Sequence, residues 1–316
     1  MDVASLNYQR NENPSKNNKM IIISLFGGLG NQMFQYSTAK AISLKLGVEL
    51  KLDTSLLEDR TPKENFTYRD YEFSAFNIDE KIANTNEVRR FVPNLWNSSK
   101  TTLALFKIKR AIFGTHYYWE KHKFEYDAFT KSLKDNTYIY GYFQSEKYFA
   151  GIRPQLLESF RLRTNPNEAN MKLLAQIQAE NSVSIHIRRG DYKNSPFQLL
   201  EMDSYYLKAI KSIEQKIDSP VFYIFTNDIA WTEKQFKTTQ IKKVIVNINT
   251  ESQSYMDMIL MSHCQHNICA NSSFSWWGAW LNSNPKKVVI VPKKWFKDKN
   301  LNTKTSDLIP EGWNIL

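Results

Sequence analysis

Cysteine is nearly absent: Cys264 and Cys269 are the only two in 316 residues, so no disulfide framework can be drawn and a reducing compartment is expected. Glycine and proline are sparse as well, ten of each, which excludes collagen-like and low-complexity classes. No apolar run approaches the ~20 residues that a membrane-spanning helix needs; the longest near the start, Met20 to Phe26, falls far short. Met1 to Lys19 is polar and Asn-rich without an apolar core, so it reads as neither a signal peptide nor an anchor. A cytoplasmic location is expected, with peripheral docking at the inner membrane face as the alternative. Asn65-Phe-Thr, Asn97-Ser-Ser and Asn271-Ser-Ser match glycosylation sequons, and without a secretory signal they read as chance matches.

What is present is an ordinary globular composition, 42% hydrophobic and 23% charged with 14% aromatics, in a chain of about two domains' length. The formal charge of +10 biases the surface toward anions: nucleic acid, anionic lipid or a phosphorylated small molecule.

Short β-branched runs recur with helical stretches between them: Ile21 to Phe26, Val48 to Leu52, Tyr138 to Phe143, Val183 to Ile187, Val221 to Thr226, Lys243 to Val246, Asn267 to Ala270 and Val288 to Val291. Such alternation marks parallel α/β sheets. Asn31 to Leu46 reads as an amphipathic helix, with Phe34, Ala41 and Ile42 on one face and Gly47 as terminator. From Leu56 to Lys134 no clean period is visible, and irregular or helical structure is expected. The organisation read from this pattern is a flexible polar tail over 1–19, an N-terminal α/β domain over 20–180 and a C-terminal Rossmann-like domain over 181–316.

Four segments carry candidate chemistry where apolar runs give way to polar residues. Gly27-Gly28-Leu29-Gly30-Asn31-Gln32 follows a strand and opens a helix, where glycines admit a close ligand and helix-start amides favour an anion. A tight turn without ligand is the alternative. A dinucleotide fingerprint would need glycine where Met33 stands, although Asp53 lies at a fitting distance for a ribose contact. In Ser184 to Tyr192, strand alternation sends His186 and Arg188 to one side and Ile185 and Ile187 to the other, so imidazole and guanidinium are presented together. A guanidinium grips phosphate oxygens in a fixed fork, which suits a diphosphate leaving group. The bland alternative there is a surface pair of Arg189 with Asp191.

Phe225-Thr226-Asn227-Asp228 ends a third apolar run, and its carboxylate either meets a base or ribose or caps the next helix. In Ala270 to Trp280, serines and asparagine both cap a helix and can hold phosphate, while Trp276, Trp277 and Trp280 read as core. His263-Cys264-Gln265-His266-Asn267-Ile268-Cys269 fits no standard zinc spacing; buried thiols with a solvated imidazole are expected, and no metal.

In order and spacing, Gly27-Gly28-Leu29-Gly30-Asn31-Gln32-Met33-Phe34-Gln35-Tyr36, His186-Ile187-Arg188-Arg189-Gly190-Asp191-Tyr192, Phe225-Thr226-Asn227-Asp228 and Asn271-Ser272-Ser273-Phe274-Ser275-Trp276-Trp277 resemble the bacterial α-1,2-fucosyltransferase family. The likeness spans about Met20 to Val291 and is weak between Leu56 and Lys134. It implies two Rossmann-like α/β domains with a cleft between them, glycosyltransferase-B-like, and inverting, metal-independent transfer of fucose from GDP-fucose to a galactose 2-hydroxyl. It further implies that Arg188 binds the diphosphate and that His186 and Asp228 contact the guanosine. Ser272, Ser273 and Phe274 would line the phosphate and nucleoside side, and Gly28, Gly30 and Asn31 would complete the cleft around fucose. Asp191 is the candidate general base. The expected partners are GDP-fucose as co-substrate, with no cofactor, and a galactose-terminated oligosaccharide or lipid-linked glycan as acceptor, with no nucleic acid. Acceptor preference is expected to lie between Leu56 and Lys134.

Two rivals remain. A basic RNA-binding protein would explain the charge and Tyr117-Tyr118-Trp119, and a nicotinamide-dependent dehydrogenase would use the glycine turn with Asp53.

Overall fold

The computed structural model describes residues 19–62, 67–92, 114–122, 124–190, 192 and 202–316. Its strands form two sheets. The first half supplies β1 (Met20–Ser24), β2 (Glu49–Asp53), β3 (Lys81–Ile82), β4 (His116–Trp119) and β5 (Thr137–Tyr140), in the spatial order β3-β2-β1-β5-β4. The second half supplies β6 (Ser182–Ile187), β7 (Val221–Thr226), β8 (Lys243–Val246), β9 (His266–Ile268), β10 (Val289–Val291) and β11 (Asn314–Ile315), in the order β11-β10-β9-β6-β7-β8. Every recorded pairing within the two sheets is parallel. The central strands β1 and β6 are buried along their whole length; β1 reads as a nearly unbroken apolar run, as a strand covered on both faces does, whereas β6 alternates serine and histidine with valine and isoleucine. The two-sheet α/β architecture is the one expected.

The first loop–helix unit departs from expectation in one respect. The helix spans Leu29–Leu46 and stops at Gly47, whose left-handed φ of 66° lets its amide reach Ser43 O. It is not amphipathic, because Gln32, Gln35, Ser37 and Thr38 are as buried as Phe34 and Met33. The physical reason is a second cover: one flank lies on its own sheet and the other against the Ser273–Leu281 helix of the second half. There Phe34 meets Trp276 at 4.4 Å and Trp277 at 5.1 Å between ring centroids, and Trp277 Nε1 donates to Gly30 O at 3.0 Å. Trp276, Trp277 and Trp280 are core, as expected, and one apolar cluster runs through both halves.

The stretch from Leu56 to Lys134, expected to be irregular or helical, holds a helix at Thr85–Phe91, opened by an Asn84–Glu87 capping box, but also β3 and β4. β4 escaped the pattern because His116-Tyr117-Tyr118-Trp119 is aromatic on both faces and shows no polar alternation.

Candidate active site

The polar groups singled out in the second half lie at the carboxyl ends of β6, β7 and β9, where open parallel sheets gather ligands. Along β6, Val183, Ile185 and Ile187 enter an apolar cluster, while Ser184 Oγ on the other face accepts from Asn267 Nδ2 at 2.8 Å. His186 shares that second face, is buried, and sets its ring 5.4 Å from Phe274. Beyond the strand, the Arg188 guanidinium lies 5.8 Å from the Tyr192 ring centroid, and the Tyr192 hydroxyl donates to Asn271 O at 3.1 Å. Arg188 therefore sits beside the serine segment. Asn227, inside the Phe225–Asp228 motif but given no role from the sequence, holds this turn: its Oδ1 accepts from the amides of Arg189 at 2.8 Å and Gly190 at 3.1 Å.

Asp228 is a helix cap. Its Oδ1 accepts from Trp231 N at 3.3 Å, at the start of the Ile229–Phe236 helix, and its Oδ2 pairs with Arg189 Nε at 3.4 Å. The Arg189 guanidinium in turn covers the Trp231 ring at 4.1 Å. Among the described residues Arg189 pairs with Asp228; the alternative surface pair with Asp191 involves a residue outside them. Asp191 itself lies outside them, so its role as base carries no geometry.

In the serine segment, Ser272 Oγ caps the following helix by accepting from Phe274 N at 3.3 Å, and Ser273 and Phe274 stay partly exposed. Asn271 is buried and donates to Trp295 O at 2.9 Å, a setting with no room for the glycan its sequon would carry. Gly30 presses directly on this helix start. A Cβ there would fall 2.6 Å from the Ser273 carbonyl carbon and 2.8 Å from Phe274 N, so only glycine admits the approach. The glycine turn and the serine segment are thereby brought together.

On the first-half side, Gly27 turns at φ +77° beneath Asn31, whose Oδ1 accepts from Gln144 Nε2 at 2.7 Å. Gln32, fully buried, clasps two segments at once: Nε2 donates to Gly27 O at 2.9 Å and Asp70 O at 2.8 Å, and Oε1 accepts from Glu72 N at 3.2 Å. This clasp delivers Glu72 to the helix start, where its Oε1 accepts from Leu29 N at 2.9 Å. Arg69 comes with it, its Nε only 3.8 Å from the place a Cβ on Gly28 would occupy. Burial holds the Glu72 carboxyl above the usual range, with Arg69 and, more weakly, Arg188 pulling it back. Arg188 consequently acts on both sides, beside the serine segment and within electrostatic reach of the carboxylate on the glycine-turn helix.

Three helix-start amides of the glycine turn do not await an anion, as the alternative of a turn without ligand has it: Leu29 N is held by Glu72, and the amides of Asn31 and Gln32 bond to Gly28 O at 2.9 and 3.1 Å. Asp53 does not wait for a ribose either. It is buried, with Oδ2 accepting from the Tyr138 hydroxyl at 2.6 Å and Oδ1 from Ser55 N at 3.0 Å, which removes the dehydrogenase reading's ribose contact. Glu72 and Arg69 had no signal in the sequence pattern, whereas Gln32 lies inside the glycine motif and Asn227 inside the Phe225–Asp228 motif.

The cysteine–histidine stretch is structural. Cys264 and Cys269 are buried, and burial raises both thiols; His266 Nδ1 accepts from Val288 N at 3.0 Å, and the imidazole exposed to solvent is His263. Among the described residues, no helix is long and apolar enough to cross a membrane.

A family model for glycosyl transferase family 11 matches residues 20–316. The O-antigen biosynthesis glycosyltransferase WbnK of Escherichia coli is 35% identical over 298 residues, covering 90% of this chain and 97% of its own. An α-1,2-colitosyltransferase of Escherichia coli is 31% identical over 298 residues, covering 93% and 98%. The galactoside α-(1,2)-fucosyltransferase 2 of Mus musculus is 25% identical over 268 residues, covering 82% and 67%. Among solved structures, fucosyltransferase NodZ from Bradyrhizobium aligns with a TM-score of 0.48 at 14% identity, covering 83% of this chain and 92% of that one.

Proposed function

The chain belongs to glycosyl transferase family 11, and from that premise we propose that it is an inverting α-1,2-fucosyltransferase, moving fucose from GDP-fucose to the 2-hydroxyl of a galactose-containing glycan. The observation that carries this reading is the position of Arg188 at the carboxyl end of β6, beside the Asn271–Phe274 segment and in reach of Glu72 across the joint. Names of relatives that share an α-1,2 linkage support the same regiochemistry.

Charge dictates the roles. Cleaving the anomeric bond leaves a nucleoside diphosphate and an oxocarbenium-like sugar, so fixed positive charge on the departing oxygens lowers the barrier. Arg188 supplies it in this proposal, aided by the start of the Ser273–Leu281 helix, where Ser273 and Phe274 are partly exposed. That arrangement calls for no metal. His186 and Phe274 line the nucleoside side, and Asp228, which also holds Trp231 N and Arg189, is assigned to guanosine. Gly28, Gly30 and Asn31 are assigned to shaping the wall around the sugar.

Two carboxylates compete for the base role. Asp191 was the sequence candidate; Glu72 is the one whose geometry is known, held on Leu29 N with its acidity weakened by burial.

The test is transfer from GDP-fucose to galactosides in chelator, with the product linkage read by NMR. An α-1,2-fucosyl product at an undiminished rate is expected. A colitosyl nucleotide belongs in the same assay, since one of the relatives is named for that sugar; exclusive use of it would replace the donor while keeping the reaction. No transfer from either donor would sink the proposal. A lipid-linked acceptor at the inner membrane face remains part of it, and co-sedimentation with anionic vesicles tests the docking.

A further inference from the structure

At the carboxyl edge of the first sheet a ladder of aromatic rings climbs out of the core. β4 and β5 pair Tyr117 with Tyr138 and Trp119 with Tyr140, and the rings follow that register at 5.8 Å and 4.7 Å between centroids. The lower rung is covered: Tyr138 is buried in the cluster that contains Phe91 and Val92, at the end of the Thr85–Phe91 helix. The upper rung is not. Trp119 is 56% exposed, the only exposed tryptophan among the described residues. Half-buried Phe26 stacks on Tyr140 at 4.8 Å, and Tyr142 meets Phe26 edge-on at 4.9 Å.

The backbone behind these rings is held to a fixed shape. Tyr142 reaches Phe26 because the chain after β5 turns sharply, with Phe143 in the left-handed region at φ +52°, a conformation non-glycine residues adopt only when their surroundings impose it. The buried Glu120 carboxylate imposes it here by accepting from Tyr142 N at 2.7 Å and Phe143 N at 2.9 Å. Gly141 packs so closely that a Cβ would stand 2.4 Å from Glu120 Cβ. Glu120 thus orders a surface rather than a core, and Phe26, one of its rings, immediately precedes the glycine turn.

We propose that Phe26, Trp119, Tyr140 and Tyr142 form an acceptor subsite, on which a pyranose ring of the acceptor glycan stacks its C–H face. This deepens the fucosyltransferase reading and rests on it. A pyranose is apolar on its faces and polar around its rim, and it matches flat rings whose tyrosine hydroxyls lie at the edge. The rings are uncharged, as a neutral acceptor requires, and they adjoin the turn where the acceptor hydroxyl has to meet the fucosyl carbon.

The experiment compares methyl β-galactoside with lactose and N-acetyllactosamine as acceptors at saturating GDP-fucose, in the wild type, Trp119→Ala and Trp119→Phe. The expected result is a KM for the disaccharides raised about 10-fold in Trp119→Ala, with kcat within about twofold and most of the affinity kept by Trp119→Phe. Saturation-transfer NMR with the same three saccharides reads binding independently of turnover. Absence of transfer by the wild type would refute the fucosyltransferase reading, while loss of the NMR signal in Trp119→Ala would still uphold a saccharide platform. An unchanged disaccharide KM in an active Trp119→Ala, or equal NMR signals in the two proteins, overturns the subsite.

Discussion

The carboxyl edges of the two sheets meet at one joint yet present opposite chemistry. The second-half edge offers Arg188, Arg189, His186, Asp228 and a serine-rich helix start, a polar and partly cationic surface. The edge of the first half offers Phe26, Tyr140, Tyr142 and Trp119, with the buried carboxylate of Glu120 turned onto backbone amides and that of Asp53 onto the Tyr138 hydroxyl and Ser55 N. The same parallel-strand architecture therefore carries two kinds of surface, one polar and partly cationic, proposed for the diphosphate, and one aromatic, proposed for the acceptor sugar. At the glycine turn the chemistries mix, through Arg69 and Glu72.

The largest effect should come from removing the charge on the second edge. Arg188→Ala is expected to lower kcat/KM for transfer by at least ~100-fold, since loss of one donor to a developing oxyanion commonly removes about 3 kcal/mol. Arg188→Lys should recover only part of it, because an ammonium lacks the fork geometry. A fully active Arg188→Ala would dissolve the distinction between the two edges.

The mixed region comes next. Glu72→Gln and Asp191→Asn separate the two base candidates: the true base should lose roughly 100-fold or more in kcat when neutralised, with GDP affinity by calorimetry little changed. Near-wild-type kcat in Glu72→Gln assigns that residue to holding Leu29 N alone.

How much of this was legible beforehand differs between the edges for a physical reason. β7 runs over the residues its apolar composition marks, Val221–Thr226, because a strand buried between neighbours is apolar on both faces; β8, at the sheet edge, is marked by its β-branched run instead. Arg188 was legible because it continues the Ser184–His186 face of β6 just past the end of the strand. β4 was not, since its exposed ring and its buried rings are all aromatic and no periodicity separates them. Glu72 and Arg69 were illegible because nothing local marks them; they matter through Gln32, a contact between distant segments that only the folded chain creates. Asp228 shows the middle case. The cap was one of two alternatives written in the spacing, and the structure shows it; the Arg189 pair became visible only in three dimensions.

A smaller effect tests the joint between the edges. Gly30→Val would drive a side chain into the Ser273 backbone, and overpacking of this kind costs about 1–3 kcal/mol. The melting temperature should fall, and GDP affinity should fall with it as the serine segment is displaced. A stable Gly30→Val with unaltered GDP binding would mean that the two edges tolerate separation.

The smallest effect lies at the far end of the bridging helix and should leave both edges intact. Lys287 Nζ donates to Ala279 O and Asn282 O, each at 2.7 Å, closing the carboxyl end of the Ser273–Leu281 helix, where Arg153 also reaches Asn282 O at 3.2 Å. Burial, reinforced by Arg153, pulls the Lys287 ammonium down to about 8. In the unfolded chain it titrates near 10.4, so between those values the unfolded state binds more protons and stability rises with pH. The contribution is complete above the unfolded value and disappears as pH falls through about 8. Melting curves of the wild type and Lys287→Met, recorded from about pH 7.5 to 9.5 so that tyrosine ionisation stays out of the comparison, should show the wild type gaining on the variant as pH increases. A constant difference across that range would mean that the ammonium is not desolvated, and that the helix end is closed by Arg153 and solvent instead.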